Sequence, residues 1–291
     1  MRKRTKKIST EGISPDLHVG YSAFDIVGDL AIIKVPSASL DEAEKVAEAI
    51  MKRHKNVKAV FVQETGVHGN FRLRSLKNVL GEKRTLTVHK ESGCFFKVDI
   101  EKCYFSPRLS GERMRLSKLV QPDETVVNMF SGVGCFSLII AKKVSIAKVY
   151  SIDINPIAFQ FMKENIKLNR AYGKVIPILG DSKTVIEKQL QGCADRVLMP
   201  LPERAFEYLP CAVSALKPSG GWVHVHIFEH ANKTENAADK TKHKVIEAFK
   251  TLGAISDAPH VRVVRSTGPN WWQLVVDTHI LGKASFNSPT T

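Results

Sequence analysis

The sequence predicts an α/β protein: a doubly wound, mostly parallel sheet that ends in an antiparallel pair, preceded by a small α+β unit. Three observations predict it. Two apolar runs rich in β-branched residues, Val126-Val127-Asn128-Met129 and Val149-Tyr150-Ser151-Ile152, each suit a strand buried on both faces. Between them stand Ser131-Gly132-Val133-Gly134 and a helical stretch over 135–143, and the second run ends in an acid, Asp153. Finally, the last two strand-like runs, over 260–265 and 272–279, are separated by only Ser266-Thr267-Gly268-Pro269-Asn270, too short for a parallel crossover.

Taken in order, the chain opens with five Lys or Arg within residues 1–7, a basic arm expected to be flexible over 1–14. Ala23 to Val27 and Leu30 to Val35 read as two strands joined at Gly28-Asp29, a hairpin signal. Ser39-Leu40-Asp41-Glu42 is a capping box, and Ala43, Val46, Ala47 and Ile50 give the following helix one apolar face. A strand over 57–64 and a hairpin turning at Glu91-Ser92-Gly93 complete a first unit expected over 15–105. The second unit is expected over 106–282, with a flexible tail at 283–291. It contains strands near 126, 149, 175 and 195, a proline-rich turn at Pro200-Leu201-Pro202, a helix closed by Lys217-Pro218-Ser219-Gly220-Gly221, a strand over 222–228, a helix over 238–252 and the final pair.

Strand, glycine turn, helix, strand, acid is a nucleotide-binding unit. Glycines let backbone approach a ligand, and a carboxylate ending the second strand accepts ribose hydroxyls. A dinucleotide loop would carry a third glycine where Ser137 stands, and a phosphate loop would place Lys-Ser or Lys-Thr after Gly134, where Cys135 stands. S-adenosylmethionine is therefore the leading ligand; a nicotinamide cofactor, or a domain without ligand, are the alternatives. The ligand is expected beyond the carboxyl ends of the strands, at Phe130, Ser131, Gly132 and Gly134, Asp153 and Ile154, Asp181 and Ser182, and Pro200 and Pro202.

The 43 Lys and Arg against 29 Asp and Glu leave a formal charge of +14, which points to a polyanionic partner. Five scattered cysteines without a C-x-x-C spacing read as reduced thiols of a cytoplasmic protein. No apolar run is long enough to span a membrane, so no membrane partner is expected. His224 and His226 share one face of a strand without a third ligand spaced to join them, so no metal is expected.

These stretches, in order, resemble the archaeal and eukaryotic type of tRNA (guanine-37-N1)-methyltransferase. The matching pieces are Phe24-Asp25-Ile26-Val27-Gly28-Asp29, Phe71-Arg72-Leu73-Arg74, Lys83-Arg84-Thr85-Leu86, Tyr104-Phe105-Ser106-Pro107-Arg108-Leu109, Gly111-Glu112-Arg113, Met129-Phe130-Ser131-Gly132-Val133-Gly134, Asp153-Ile154-Asn155-Pro156 and Glu164-Asn165-Ile166-Lys167-Leu168-Asn169. The resemblance implies a Rossmann-like class I methyltransferase domain behind an RNA-binding domain, acting as a monomer on the anticodon stem-loop of tRNA. It implies that Arg72 donates to O6 of the target guanine and that Glu112 takes the N1 proton. Arg74, Arg108, Arg113 and Arg115 become candidates for tRNA contacts; by themselves, Arg72 and Arg74 read as a solvated strand edge and the others as exposed helix charges.

Three features depart from the family pattern. The usual Asn-Leu-Pro reads Pro200-Leu201-Pro202, the usual acid before Met129 is Asn128, and the chain starts almost directly at the family's second domain, so that an N-terminal domain touching the outer corner of tRNA is expected to be missing. The wybutosine-pathway aminocarboxypropyl transferase, a wyosine-precursor methyltransferase and a non-catalytic tRNA-binding subunit are the alternatives.

Overall fold

The computed structural model describes residues 24–34, 40–145 and 147–283. The basic arm and the tail beyond residue 283 lie outside them. The first unit is a four-stranded sheet, β1 (Phe24–Val27), β2 (Leu30–Lys34), β3 (Ala59–Gln63) and β4 (Leu76–Gly81), in that spatial order. Helix α1 (Leu40–Arg53) carries the chain across to β3, the one parallel partner of β2. The period of two in β2 divides its side chains cleanly. Ala31 and Ile33 pack with Ala43, Ala47 and Ile50 of α1, whereas Leu30 and Ile32 face Phe96, Phe105 and Leu116 from later in the chain. The sheet is thus buried on both faces, and its second face is continuous with the main core.

The hairpin β5 (Leu86–Glu91) and β6 (Cys94–Asp99), expected in the first unit, is bonded along β6 to the second. Two asparagines one helical turn apart on α4 (Pro156–Leu168) and its C-cap hold it. Asn165 accepts from Lys97 N at 2.7 Å and donates to Lys97 O at 3.0 Å, and Asn169 makes the same pair of bonds with Phe95 at 2.8 and 2.6 Å. A side-chain amide offers both donors and an acceptor, so each asparagine substitutes for a missing strand along the edge of β6. Asn165 also donates to Val133 O at 3.0 Å, tying the hairpin to the glycine loop. The hairpin is also bonded to the first unit, where Thr87 Oγ1 donates to Asp29 Oδ1 at 2.7 Å.

The second unit starts with a 3₁₀ turn (Pro107–Leu109) and α2 (Ser110–Ser117). It continues through β7 (Thr125–Asn128), α3 (Cys135–Lys143), β8 (Lys148–Asp153), α4, β9 (Val175–Leu179), α5 (Ser182–Val185) and β10 (Arg196–Met199). Then come α6 (Ala205–Ala215), β11 (Gly221–His230), α7 (Ala237–Thr251), β12 (Ala254–Ser256), β13 (His260–Gly268) and β14 (Trp271–Lys283). The strand order is β9-β8-β7-β10-β11-β14, with β12 and β13 both on the outer edge of β14. All neighbours from β9 to β11 are parallel, and β14 is antiparallel to both sides. From β7 the chain winds outward through β8 and β9, then returns to β10 on the other flank. This reversal opens a crevice at the carboxyl ends of β7, β8 and β10, where the loops of interest sit. Among the described residues, no helix is long and apolar enough to cross a membrane.

Candidate active site

The glycine loop after β7 is folded by its own backbone. Ser131 N donates to Ile152 O at 2.8 Å, and Gly134 N donates to Ser131 O at 2.9 Å. Gly132 N donates to Asp153 Oδ2 at 2.6 Å. Gly134 has φ +94° and stands at the N-cap of α3; a Cβ there would lie 3.2 Å from Met162 Cγ and 3.3 Å from Leu138 Cδ1. Glycine is demanded both by the left-handed backbone and by the close approach of α3 to α4. Asp153 also accepts from Asn155 N, at 2.9 Å. Burial raises its pKa, against the pull of those two backbone donors. Each carboxylate oxygen keeps a free lone pair, and the residue lines the pocket, so it suits a ribose diol.

Asp181 caps α5 through Lys183 N at 2.9 Å and accepts from Tyr208 Oη at 2.5 Å. Burial, then this bond to Asp181, pushes the Tyr208 phenol up to about 12, so it stays a donor. The Tyr208 ring meets Phe130 edge-on at 5.1 Å. Ser182 donates from Oγ to Met129 O, which locks the start of α5 onto the glycine loop. Phe130, Ser131, Gly132, Asp153, Ile154, Asp181, Ser182 and Pro200 all line one pocket. Gly134 caps α3 beneath it. Pro202, expected at the cofactor, is buried at the start of a 3₁₀ turn and is not part of the lining.

Arg72 reaches the same pocket from the first unit. Its backbone is left-handed, φ 56°, in a tight turn closed by the His68–Leu73 bridge and by Arg72 N donating to Gly69 O at 3.1 Å. The guanidinium lies 3.9 Å over the Tyr104 ring and donates from Nη2 to Glu203 Oε1 at 2.8 Å, and Nε is buried without an acceptor. Tyr104 and Tyr208 in the lining, and Glu203 bonded to Arg72, were not expected here. A lone aromatic in a connecting segment, or an acid after a proline turn, carries no sequence signal; only the fold brings them together.

The remaining arginines stand differently from expectation. Arg113 is 3% exposed and grips Glu91 of β5 from Nε at 2.8 Å and Nη2 at 2.5 Å, while also donating to Ser106 O. Arg74 is buried and donates to Phe105 O at 2.6 Å. Both are buried and tie segments of the protein together. Arg115 is held by carboxylates on both sides. Arg108 alone of the four is exposed, donating from Nε to Asp25 Oδ1 at 2.5 Å.

Glu112 also departs from expectation. It is 2% exposed, is outside the pocket lining, and both its oxygens are engaged by Arg115 at 2.7–3.2 Å. Arg115 simultaneously donates to Asp277 at 2.7 and 3.1 Å. Asp277 accepts from His224, whose Nε2 lies 2.6 Å from Arg196 Nη1. His224 and His226 thus sit in mid-strand, fully buried. Asn128 is likewise buried, donating to Ser137 Oγ at 3.1 Å in a neutral network with Ser151.

A mostly parallel sheet in the order β9-β8-β7-β10-β11 closed by the antiparallel β14, a glycine loop at its switch point and an acid ending the second strand define a Rossmann-like S-adenosylmethionine-dependent methyltransferase. Residues 87–256 match the family described as TRM5/TYW2 methyltransferase domain, and residues 6–85 match the TYW2 N-terminal domain. The chain belongs to the TRM5/TYW2 methyltransferase family, and its cofactor is S-adenosylmethionine. It is 39% identical over 267 residues to the tRNA (guanine(37)-N(1))-methyltransferase Trm5b of Pyrococcus abyssi, covering 89% of this chain and 75% of that protein. It is 36% identical over 259 residues to the tRNA 4-demethylwyosine(37)-methyltransferase Taw21 of Saccharolobus solfataricus, covering 88% and 93%. Among solved structures, aTrm5 in complex with tRNALeu superposes with a TM-score of 0.77 at 36% identity, covering 89% of this chain and 72% of that one. TYW2 of M. jannaschii in complex with AdoMet superposes at 0.65 with 28% identity, covering 89% and 100%.

Proposed function

We propose that this protein methylates N1 of guanosine 37 in tRNA. The observation that carries the reading is Arg72: a guanidinium from the first unit, held over the cofactor pocket of the second, with a buried donor still lacking an acceptor. Guanine N1 is a poor nucleophile until its proton leaves, and as it leaves, negative charge builds on O6. Arg72 donates to that oxygen, an interaction on the order of 3 kcal/mol in a water-excluded site. S-adenosylmethionine supplies an electrophilic sulfonium methyl that needs only in-line positioning. The target base must be flipped from the anticodon loop, where unstacking is cheap.

Glu112 is the proton acceptor in this reading. Because Arg115 already holds Asp277, it can release Glu112 without losing its charge partner, leaving that carboxylate only the longer, 3.7 Å contact with Arg262 when the nucleotide arrives. The tRNA surface centres on exposed Arg108. The unit boundary falls near residue 85, a reading supported by the bonds from α4 to the hairpin and by the matches ending at 85 and starting at 87. A monomer with five free cysteines fits the cytosol.

The second reading is action on a wyosine-type precursor at the same position. It is favoured by Pro200, which offers no side-chain amide, and by the near-complete coverage of Taw21. The test is nucleoside mass spectrometry after incubation with S-adenosylmethionine. A methyl at N1 of guanosine 37 in an unmodified transcript supports the first reading. Methylation only of a precursor tRNA transfers the protein to the second, and no product on either sinks both.

A further inference from the structure

We propose that Glu203 determines specificity by accepting a hydrogen bond from the 2-amino group of the target guanine, beside Arg72 at O6. The inference rests on the guanosine reading above and concerns a residue to which that reading gives no role.

Arg72 is the fixed member of the pair. Its left-handed turn, its 3.9 Å stack on Tyr104 and its side-chain exposure of only 14% leave it little freedom. Glu203 is the movable one, with 43% of its side chain exposed. It follows Pro200 and Leu201, which line the pocket but have no side-chain hydrogen-bonding group. Within the turn after β10, Glu203 therefore supplies the first polar side chain; it is outside the lining itself, and the 2.8 Å contact with Arg72, which does line the pocket, sets its carboxylate beside that residue.

A guanidinium beside a carboxylate presents donors next to acceptors. Guanine carries the complement, an acceptor at O6 and donors at N1 and the 2-amino group. N1 has to face the methyl, so the acceptor contact falls to the amino group, and Glu203 moves off Arg72 as O6 moves on. Adenine reverses the pattern at position 6 and has no donor at position 2, so it meets two mismatches. Inosine isolates the new contact, because it keeps O6 and the N1 proton and lacks only the amino group. A carboxylate left without its donor is penalised, though less at a half-open rim than in a sealed pocket.

The experiment compares single-turnover methylation of two tRNA transcripts, one with guanosine and one with inosine at position 37. The enzymes are the intact chain and its Glu203→Ala and Glu203→Gln variants, at saturating S-adenosylmethionine. The intact chain is expected to prefer guanosine by about 10- to 100-fold, since a well-made base contact contributes discrimination of that size. Glu203→Ala should bring the ratio near one by slowing guanosine while leaving inosine within about threefold, and Glu203→Gln, which keeps an acceptor, should fall between. S-adenosylmethionine binding, measured on each variant by calorimetry, should be unchanged and so report intact folding. An unaltered ratio in Glu203→Ala, or equal use of both transcripts by the intact chain, overturns the proposal. No methyl on either transcript, with methylation of a precursor tRNA, shows instead that the guanosine reading has failed, and this proposal with it.

Discussion

His224 donates its Nδ1 proton to Asp277 while its Nε2 accepts from Arg196, 2.6 Å away, so the imidazole between them is neutral. Burial, more than the neighbouring charges, holds its pKa below the ordinary histidine range. Next to it, His226 is pushed down to about 3, first by burial and then by His224 and Arg115. On Asp277, burial works to raise the pKa, but His224 and Arg115 outweigh it and hold the carboxyl low.

All three shifts act in one direction. An unfolded chain takes up protons on its histidines near pH 6.5, whereas folded His226 resists until about 3. The contribution of these three groups should therefore be constant above pH 6.5 and fall steadily from there toward pH 3. Thermal melts across that range should show the slope, and His226→Leu should make it shallower by about one proton. A variant slope equal to that of the intact chain would exclude His226 as its source.

Arg72→Ala should lower the rate of methyl transfer by about 10²–10³-fold, the usual loss on removing one oxyanion donor. Cofactor affinity should stay within a factor of two, because Arg72 meets the acceptor and not the ribose. Quenched-flow kinetics with calorimetry separate the two. A matching loss of cofactor affinity would place Arg72 at the wrong ligand.

Glu112→Gln should cost about 10²-fold or more in methyl transfer, as loss of a general base does. Asp277→Asn should slow the reaction as well, since an Arg115 with nowhere else to go stays on Glu112. The pH–rate profile is the diagnostic, because a merely structural defect lowers the rate equally at every pH. Parallel profiles for Asp277→Asn and the intact chain would remove Asp277 from the mechanism.

Asp153→Ala should weaken S-adenosylmethionine binding by at least tenfold, measured by calorimetry. Here the loss of ribose acceptors compounds a second effect: Gly132 N and Asn155 N lose their partner. Gly134→Ala should reduce stability by about 1–2 kcal/mol through the left-handed backbone and the crowding on Met162. An unchanged melting temperature would count against that packing.

Asn165→Ala should cost about 1–3 kcal/mol, because the part-buried backbone N–H and C=O of Lys97 in β6 both lose their partner. Hydrogen exchange should show selective loss of protection at Lys97, with β10 and β11 unaffected. Uniform loss across the sheet would mean that Asn165 supports the whole core rather than the hairpin.

Much of this was legible locally. The β-branched runs, the glycine loop, Asp153, Asp181 and the antiparallel ending all follow from short stretches, since strand burial, left-handed turns and short connections are properties of neighbours in sequence. The resemblance pointed to the Glu164–Asn169 stretch as characteristic, but not to its work, which is to clamp a hairpin some seventy residues earlier.

What the sequence alone determined, then, is the order of the elements, the cofactor loop and the charge excess that favours a nucleic acid. The tertiary structure decided which charges are available. Whether an arginine meets solvent, a pocket or a buried carboxylate depends on segments far away in the chain: Glu91 for Arg113, Asp277 for Arg115, Tyr104 and Glu203 for Arg72. Side-chain type states what a residue can bond, whereas only the packing of distant elements states what lies within 3 Å of it.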